Sequence, residues 1–391
     1  MTTAAIEQPI KQSTAPCGST PATLAPDTVR AHVHQLKPYV PGKPIAEVKR
    51  ELGLPDDLEI FKLASNENLL GPSPAAVEAM KNAASGVWLY PDDTCYDLKN
   101  ELANFWNLTP EHFVVGNGSD EIIHFLMLAF LEKNDEVLFA EPSFVQYKAA
   151  AMMAGCAYQA VPLTDDYRHD LAAMKAQINE NTKLIFIANP NNPTGTVVSR
   201  DEFESFLEGL PPRVVVVLDQ AYYEYVEDDD SPEGLDYIQE HNVVLLHTFS
   251  KAYALAGLRC GYGLARPEIV AILQQVRGPF NVNALAQAAA IASLGDETQV
   301  EKARANNKEG RDYFYRALDE MKLEYAPTQA NFVFLDSGRP AKEMFDALLR
   351  RGIIVRTGDP FGMPSWLRVT IGAPAMNERF ISALREILNQ A

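Results

Sequence analysis

Lys251 closes the string Thr248-Phe249-Ser250-Lys251, directly after the apolar run that begins at Val243, and Arg259 follows eight residues later. A lysine at the end of a buried run is costly unless it is paired or gives up its proton. A neutral lysine amine is also a nucleophile that condenses with aldehydes, and its pKa falls readily on burial. Asp219 ends a second run, Val214–Leu218, and leads into Gln220-Ala221-Tyr222. A carboxylate there calls for a cationic partner, either an arginine in a salt bridge or a protonated ring nitrogen. Two further runs finish in the same way. Leu184–Ala188 leads into Asn189-Pro-Asn-Asn192-Pro-Thr-Gly195, and Phe113–Gly116 into Asn117-Gly118-Ser119-Asp120. The last opens a helix, so its backbone N–H groups offer a seat for an anion, unless Ser119 or Asp120 only caps that helix.

The elements that must position these residues are legible as alternating patterns. Seven short runs read as strands: Phe113–Gly116, Glu136–Glu141, Ala157–Leu163, Leu184–Asn189, Val214–Asp219, Val243–Thr248 and Cys260–Ala265. They are β-branched or aromatic and end in Gly, Pro, Asn or Asp, as buried strands do. Amphipathic stretches such as Glu121–Leu131 and Asp201–Leu207 lie between several of them. Strands separated by helices imply an α/β fold with a mostly parallel seven-stranded sheet covered on both faces. The last two runs are too close for a long crossover helix, so one strand is expected to be antiparallel. Ligands of such sheets bind beyond the carboxyl ends of the strands, where the four polar tips would meet.

The rest of the chain reads as accessory. Residues 1–27 are rich in Thr, Ala, Pro and Ser and are expected to be a flexible extension. Residues 28–73 form an arm and part of a small domain, 74–294 the large domain, and 295–391 a small α+β domain. In the last, a long helix over Glu301–Lys322 precedes strands at Asn331–Leu335, Ile353–Arg356 and Trp366–Ile371. Helices are expected over Ala341–Arg351 and from Asn377. Alternation in the Trp366 strand puts Arg368 on one face with Trp366 and Thr370.

Composition excludes several classes of function. The 52 acidic and 34 basic side chains leave a net charge of −18, which argues against nucleic-acid and membrane partners. Four scattered cysteines form no CxxC pair, and there is no HExxH, so neither a metal site nor a disulfide framework is expected. No apolar run suits a membrane span or a signal peptide, which makes the cytoplasm the expected compartment.

Taken together, the strings resemble the fold type I aminotransferases that depend on pyridoxal 5'-phosphate, over nearly all of residues 36–391. The match rests on Ser65-Asn66-Glu67-Asn68, Tyr90-Pro91-Asp92, Gly116–Glu121, Asn189–Gly195, Asp219–Tyr222, Ser250-Lys251-Ala252, Gly257–Gly261, Asn331-Phe332 and Leu367-Arg368. Among these enzymes the pattern is most similar to the histidinol-phosphate aminotransferases. The resemblance implies that Lys251 holds the cofactor and moves protons, that Asp219 faces its ring nitrogen, and that Asn192 and Tyr222 reach its phenolic oxygen. It implies Phe144 as the stacking aromatic, and Ser119, Asp120, Thr248, Ser250 and Arg259 around the phosphate. Tyr90 would reach that phosphate from the second subunit of a homodimer. Arg368 would hold the substrate carboxylate, and Arg356, Tyr39 and Asn68 would complete the substrate site, with 2-oxoglutarate as acceptor. Leu69 and Phe280 depart from the pattern, replacing a usual proline and a hydroxyl that some relatives carry. An aminotransferase of broader range for aromatic amino acids, or a lyase on the same scaffold, is the alternative.

Overall fold

The computed structural model describes residues 28–36 and 59–389. Tyr39, the 1–27 extension and much of the expected arm lie outside the described residues. Strand β1 (Phe61–Lys62) belongs to the smaller layer of the molecule. The large sheet follows with β2 (Phe113–Gly116), β3 (Glu136–Glu141), β4 (Ala157–Pro162), β5 (Thr182–Ala188), β6 (Val215–Asp219), β7 (Val243–Thr248) and β8 (Gly261–Leu264). Their order across the sheet is β2-β8-β7-β6-β5-β3-β4. From β4 to β7 every pairing is parallel, while β8 runs antiparallel to both β7 and β2. The short link between β7 and β8 leaves no room for a crossover helix, so the expected antiparallel strand is β8. Because β8 opposes both neighbours, β2 points the same way as β5, β6 and β7, and all four carboxyl ends share one rim.

The unbroken apolar runs follow from burial on both faces. Ile185, Ile187, Val216, Leu218 and Leu245 enter one core. Leu184, Phe186, Val215, Val217, Val244 and Leu246 enter the other. Successive residues of a strand point to opposite faces, so two cores demand an apolar residue at every position. Helices Pro74–Ala83, Tyr96–Trp106, Arg200–Leu207 and Ala284–Leu294 cover the first core, and Ser119–Phe130, Val145–Ala154 and Pro267–Val276 the second. Ser199 opens the Arg200 helix with a capping box to Glu202, and Asn283 caps the Ala284 helix by accepting from Ala286 N at 2.8 Å.

The smaller layer contains β9 (Tyr325–Ala326), β10 (Phe332–Asp336), β11 (Ile353–Ile354), β12 (Arg356–Thr357) and β13 (Trp366–Thr370). Four of them form an antiparallel sheet ordered β12-β13-β10-β9, and β1 pairs in parallel with β11. Helices Glu297–Met321, Ala341–Leu349 and Pro374–Asn389 pack on this layer around a separate core. The first begins four residues before its expected start. The last begins at Pro374, a residue preorganised for the first helical position, and not at Asn377. Asn377 instead exchanges two side-chain hydrogen bonds with the Gly372 backbone, tying β13 to that helix.

Candidate active site

The four strand ends do meet. They border a cavity of about 500 Å³ between the rim of the large sheet and the small layer, and Lys251, Asp219 and Arg259 all reach it. Lys251 Nζ lies 3.3 Å from the Ser65 carbonyl and 5.6 Å from the centre of the Tyr222 ring. The side chain is reachable from the cavity, yet its amine is enclosed by protein. That burial, and secondarily the nearby Arg368 cation, lowers its pKa to about 8.

Asp219 is only 5% exposed, and its hydrogen-bond partners are neutral. Tyr147 donates its hydroxyl to Oδ2 at 2.7 Å, and Ala221 N–H donates to Oδ1 at 3.2 Å. Burial pushes the carboxyl up to about 6, partly offset by those two donors. A buried anion without an arginine to neutralise it is well placed to face a protonated ring nitrogen.

Arg259 bridges the turn after β7 and the start of the Ser119 helix. It donates to Asp120 Oδ2 at 3.3 Å and to Ser250 Oγ at 3.4 Å. Glycine is required on both sides of this contact. A Cβ on Gly118, whose φ is +76°, would lie 2.5 Å from Arg259 Nη2, and one on Gly261 would lie 2.5 Å from Ser119 N. The first N–H groups of the helix have no partner within it, so Ser119, Asp120, Ser250 and Arg259 form an anion seat with Thr248 beside them.

Opposite Lys251, a hydrogen-bond network joins the two layers. Arg368 donates to Asn192 Oδ1 and, at 2.9 Å, to the Ala64 carbonyl. Asn192 and Asn66 both donate amide N–H groups to the Tyr222 oxygen, at 3.4 and 2.9 Å. With its lone pairs so engaged, the Tyr222 hydroxyl retains a hydrogen to donate. Burial raises its pKa, which keeps that proton in place. Alternation along β13 is as expected: Leu367 and Val369 enter the small core, while Thr370 Oγ1 accepts from Asn66 N–H at 3.0 Å.

The remaining expected residues are placed less uniformly. Phe144 lines the cavity, with its ring edge-on to Tyr147 at 5.6 Å. Arg356 also lines it, opposite Arg368 in the β12–β13 register. Asn68 lies beside the cavity, donating to the Ala252 carbonyl at 2.8 Å, and Asn66 takes the place in the wall. Tyr90 is 81% exposed, away from this chain's cavity, and stacks on Phe280 at 4.6 Å. Among the described residues no group of three or more His, Cys, Asp or Glu side chains could hold a metal. Tyr147 escaped the sequence reading, as did Asn66 together with the backbone of Ser65. For Tyr147 the one hint is the spacing Phe144-Val-Gln-Tyr147, one helical turn.

The donor set fits pyridoxal phosphate: an amine to take an aldehyde, a buried carboxylate for a ring nitrogen, a hydroxyl donor, and a seat for a phosphate. Comparison with known proteins agrees. The family described as aminotransferase class I and II matches residues 59–384. The histidinol-phosphate aminotransferase of Moorella thermoacetica is 51% identical, with 92% of each chain covered. That of Symbiobacterium thermophilum is 47% identical over 93% of this chain and 99% of the relative. Among solved structures, the histidinol-phosphate aminotransferase of Sinorhizobium meliloti in complex with pyridoxal-5'-phosphate superposes with a TM-score of 0.86. It is 28% identical, with 94% of this chain and 99% of that chain covered.

Proposed function

This chain belongs to the aminotransferase class I and II family, and on that premise we propose that it is a pyridoxal-phosphate enzyme moving the amino group of L-histidinol phosphate to 2-oxoglutarate. The products are imidazole acetol phosphate and glutamate. The observation that carries this reading is the convergence of Lys251, Asp219 and Arg259 on one cavity, in a chain 51% identical to a histidinol-phosphate aminotransferase.

When bound, the cofactor supplies an aldehyde for amines and a ring that accepts the electron pair released at the donor's Cα. Lys251 Nζ would hold the cofactor and, when free, would serve as the base and acid that moves the donor's Cα proton, for which a pKa of about 8 keeps both protonation states available. Asp219 keeps the ring nitrogen protonated, and Tyr147 and Ala221 hold that carboxylate in line. Asn192 and Tyr222 serve the phenolic oxygen, and Phe144 stacks on the ring. The Ser119 and Asp120 N–H groups, Thr248, Ser250 and Arg259 take the cofactor phosphate. Arg368 clamps the carboxylate of glutamate and 2-oxoglutarate, a task its planar fork suits.

Arg356, with Tyr39 and Asn68, serves the donor. Arg356 lines the cavity opposite Arg368 in the β12–β13 register, a position that suits a donor carrying a phosphate dianion. The exposed Trp88, Tyr90 and Phe280 support a homodimer in which Tyr90 reaches the other subunit's phosphate seat. The separate core of the small layer supports a division into an arm with part of the small domain at 28–73, a large domain at 74–294 and a small domain at 295–391. No helix among the described residues is long and apolar enough to cross a membrane. Together with unpaired Cys95, Cys156 and Cys260, that supports a cytoplasmic site of action.

The test is an assay of histidinol phosphate and phenylalanine side by side with 2-oxoglutarate. The proposal expects kcat/KM for the phosphate ester to exceed that for phenylalanine by at least an order of magnitude. Absence of turnover with the phosphate ester rules it out.

A further inference from the structure

The small-layer wall of the cavity carries a cation that the reaction so far leaves without a task. Lys342 lies in the first turn of the helix Ala341–Leu349 and lines the cavity together with Arg356, Phe345 and Phe361. Its ammonium pairs with Asp346 Oδ2 at 3.0 Å, and the lysine side chain is 81% exposed.

Local helix electrostatics do not account for this placement. A positive charge in the first turn opposes the helix dipole. A lysine four residues before its acid is also the weaker orientation of an i,i+4 pair. An exposed pair of this kind contributes little and exchanges easily. The wider setting is unfavourable to a phosphate dianion, because the chain carries a net charge of −18. A cluster of cations at the cavity is what would draw such a ligand in against that field. Helix Ala341–Leu349 packs on the β12 segment that bears Arg356, so the two cations belong to one wall.

We propose that Lys342 is a second cation for the donor's phosphate, acting with Arg356 and exchanging Asp346 for the phosphate when the donor binds. The inference rests on histidinol phosphate being the donor. Arg368, deeper in the wall, serves carboxylates, so the site separates its two anionic ligands by depth. Lys342 is thus a specificity-determining residue outside the machinery that handles protons.

Steady-state kinetics on the holoenzyme test this with Lys342→Ala and Lys342→Arg. In Lys342→Ala, KM for histidinol phosphate should rise about 10- to 20-fold, the low end for losing one charge-assisted hydrogen bond, because the lysine is exposed. The expected fall in kcat is less than twofold, and KM for 2-oxoglutarate should rise clearly less than that for histidinol phosphate, because its second carboxylate carries one charge where the phosphate carries two. Lys342→Arg should stay within about twofold of wild type, and added salt should weaken phosphate-ester capture more in wild type than in Lys342→Ala. An unchanged KM for histidinol phosphate, or equal increases for both substrates, overturns the proposal while leaving the donor assignment intact. A wild-type enzyme that ignores histidinol phosphate overturns the donor assignment itself, and this inference with it.

Discussion

Enclosure in the cavity shifts the protonation of single side chains. Burial lowers Lys251 to about 8 and raises Asp219 to about 6, so the same enclosure tunes a base and a counter-ion in opposite directions. The amine is reactive above its pKa, so uptake of pyridoxal phosphate by the cofactor-free protein should accelerate as pH rises through about 8 and then level off. Stopped-flow absorbance measures this, and a rate that is flat from pH 7 to 9 would show that Lys251 is not tuned in this way. Tyr147 acts one step removed, through Asp219. Removing its hydroxyl in Tyr147→Phe should weaken cofactor retention and lower kcat about tenfold or more, since hydrogen bonds to charged groups contribute about 1.5–3 kcal/mol. Retention followed by dialysis, together with the pH profile of kcat, would separate this from a packing defect; unchanged values of both would remove Tyr147 from the account. Lys251 and Asp219 were legible because each follows or ends an apolar run at the carboxyl end of a strand, and Arg259 through its place in the family string Gly257–Gly261. Tyr147 was not, because a tyrosine inside an alanine- and methionine-rich helix looks like ordinary core until its partner is known.

At the scale of elements, the positioning depends on turns as much as on strands. Gly195 has φ +79°, and a Cβ there would come within 1.9 Å of Thr328 Oγ1. The close approach docks the Asn191–Gly195 turn on the small layer, where Gln329 N–H donates to the Gly195 carbonyl at 2.7 Å. Gly195→Ala should therefore displace Asn192 and lower kcat/KM at least tenfold, with a stability loss of about 1–3 kcal/mol from strain and overpacking. Thermal denaturation alongside kinetics measures both, and a variant with wild-type values of each would show that the turn tolerates movement. The seven strands of the large sheet, and the presence of one antiparallel strand among them, were readable from apolar runs and linker length; β1, β9 and the division of Ile353–Arg356 into β11 and β12 were not. Helix starts were read less well. The Glu297–Met321 helix begins in a charged stretch with no apolar face to announce it, and the Pro374 start is marked only by a proline that reads equally well as a terminator.

For the whole molecule, the most exposed large aromatic side chains among the described residues lie around one segment. Trp88 and Tyr90 are 79% and 81% exposed, beside Leu89, Tyr96 and Phe280. Arg277 anchors the chain just after this segment through two hydrogen bonds to Asp93, at 3.1 and 2.8 Å. That ion pair also holds the Asp93 carboxyl down at about 2. A second copy of the chain is the occupant proposed for this face. Trp88→Glu should shift the protein from dimer to monomer in light scattering and reduce cofactor retention with it, because Tyr90 would no longer reach the neighbouring phosphate seat. A variant that stays dimeric and keeps its cofactor would place the interface elsewhere. Sequence could mark Tyr90 through its resemblance to a family string, but exposure is a property of the packed chain. Nothing in Val87–Tyr90 alone distinguishes a surface patch from a core strand.

The central claim is that an aldehyde cofactor is bonded to one particular lysine. Reducing the purified holoenzyme with borohydride, digesting it and mapping the modified peptide by mass spectrometry tests this directly. The account predicts a single phosphopyridoxyl modification, on Lys251 in the Phe249–Arg259 stretch. A modification mapped to a different lysine, or a holoenzyme that yields none, would contradict it.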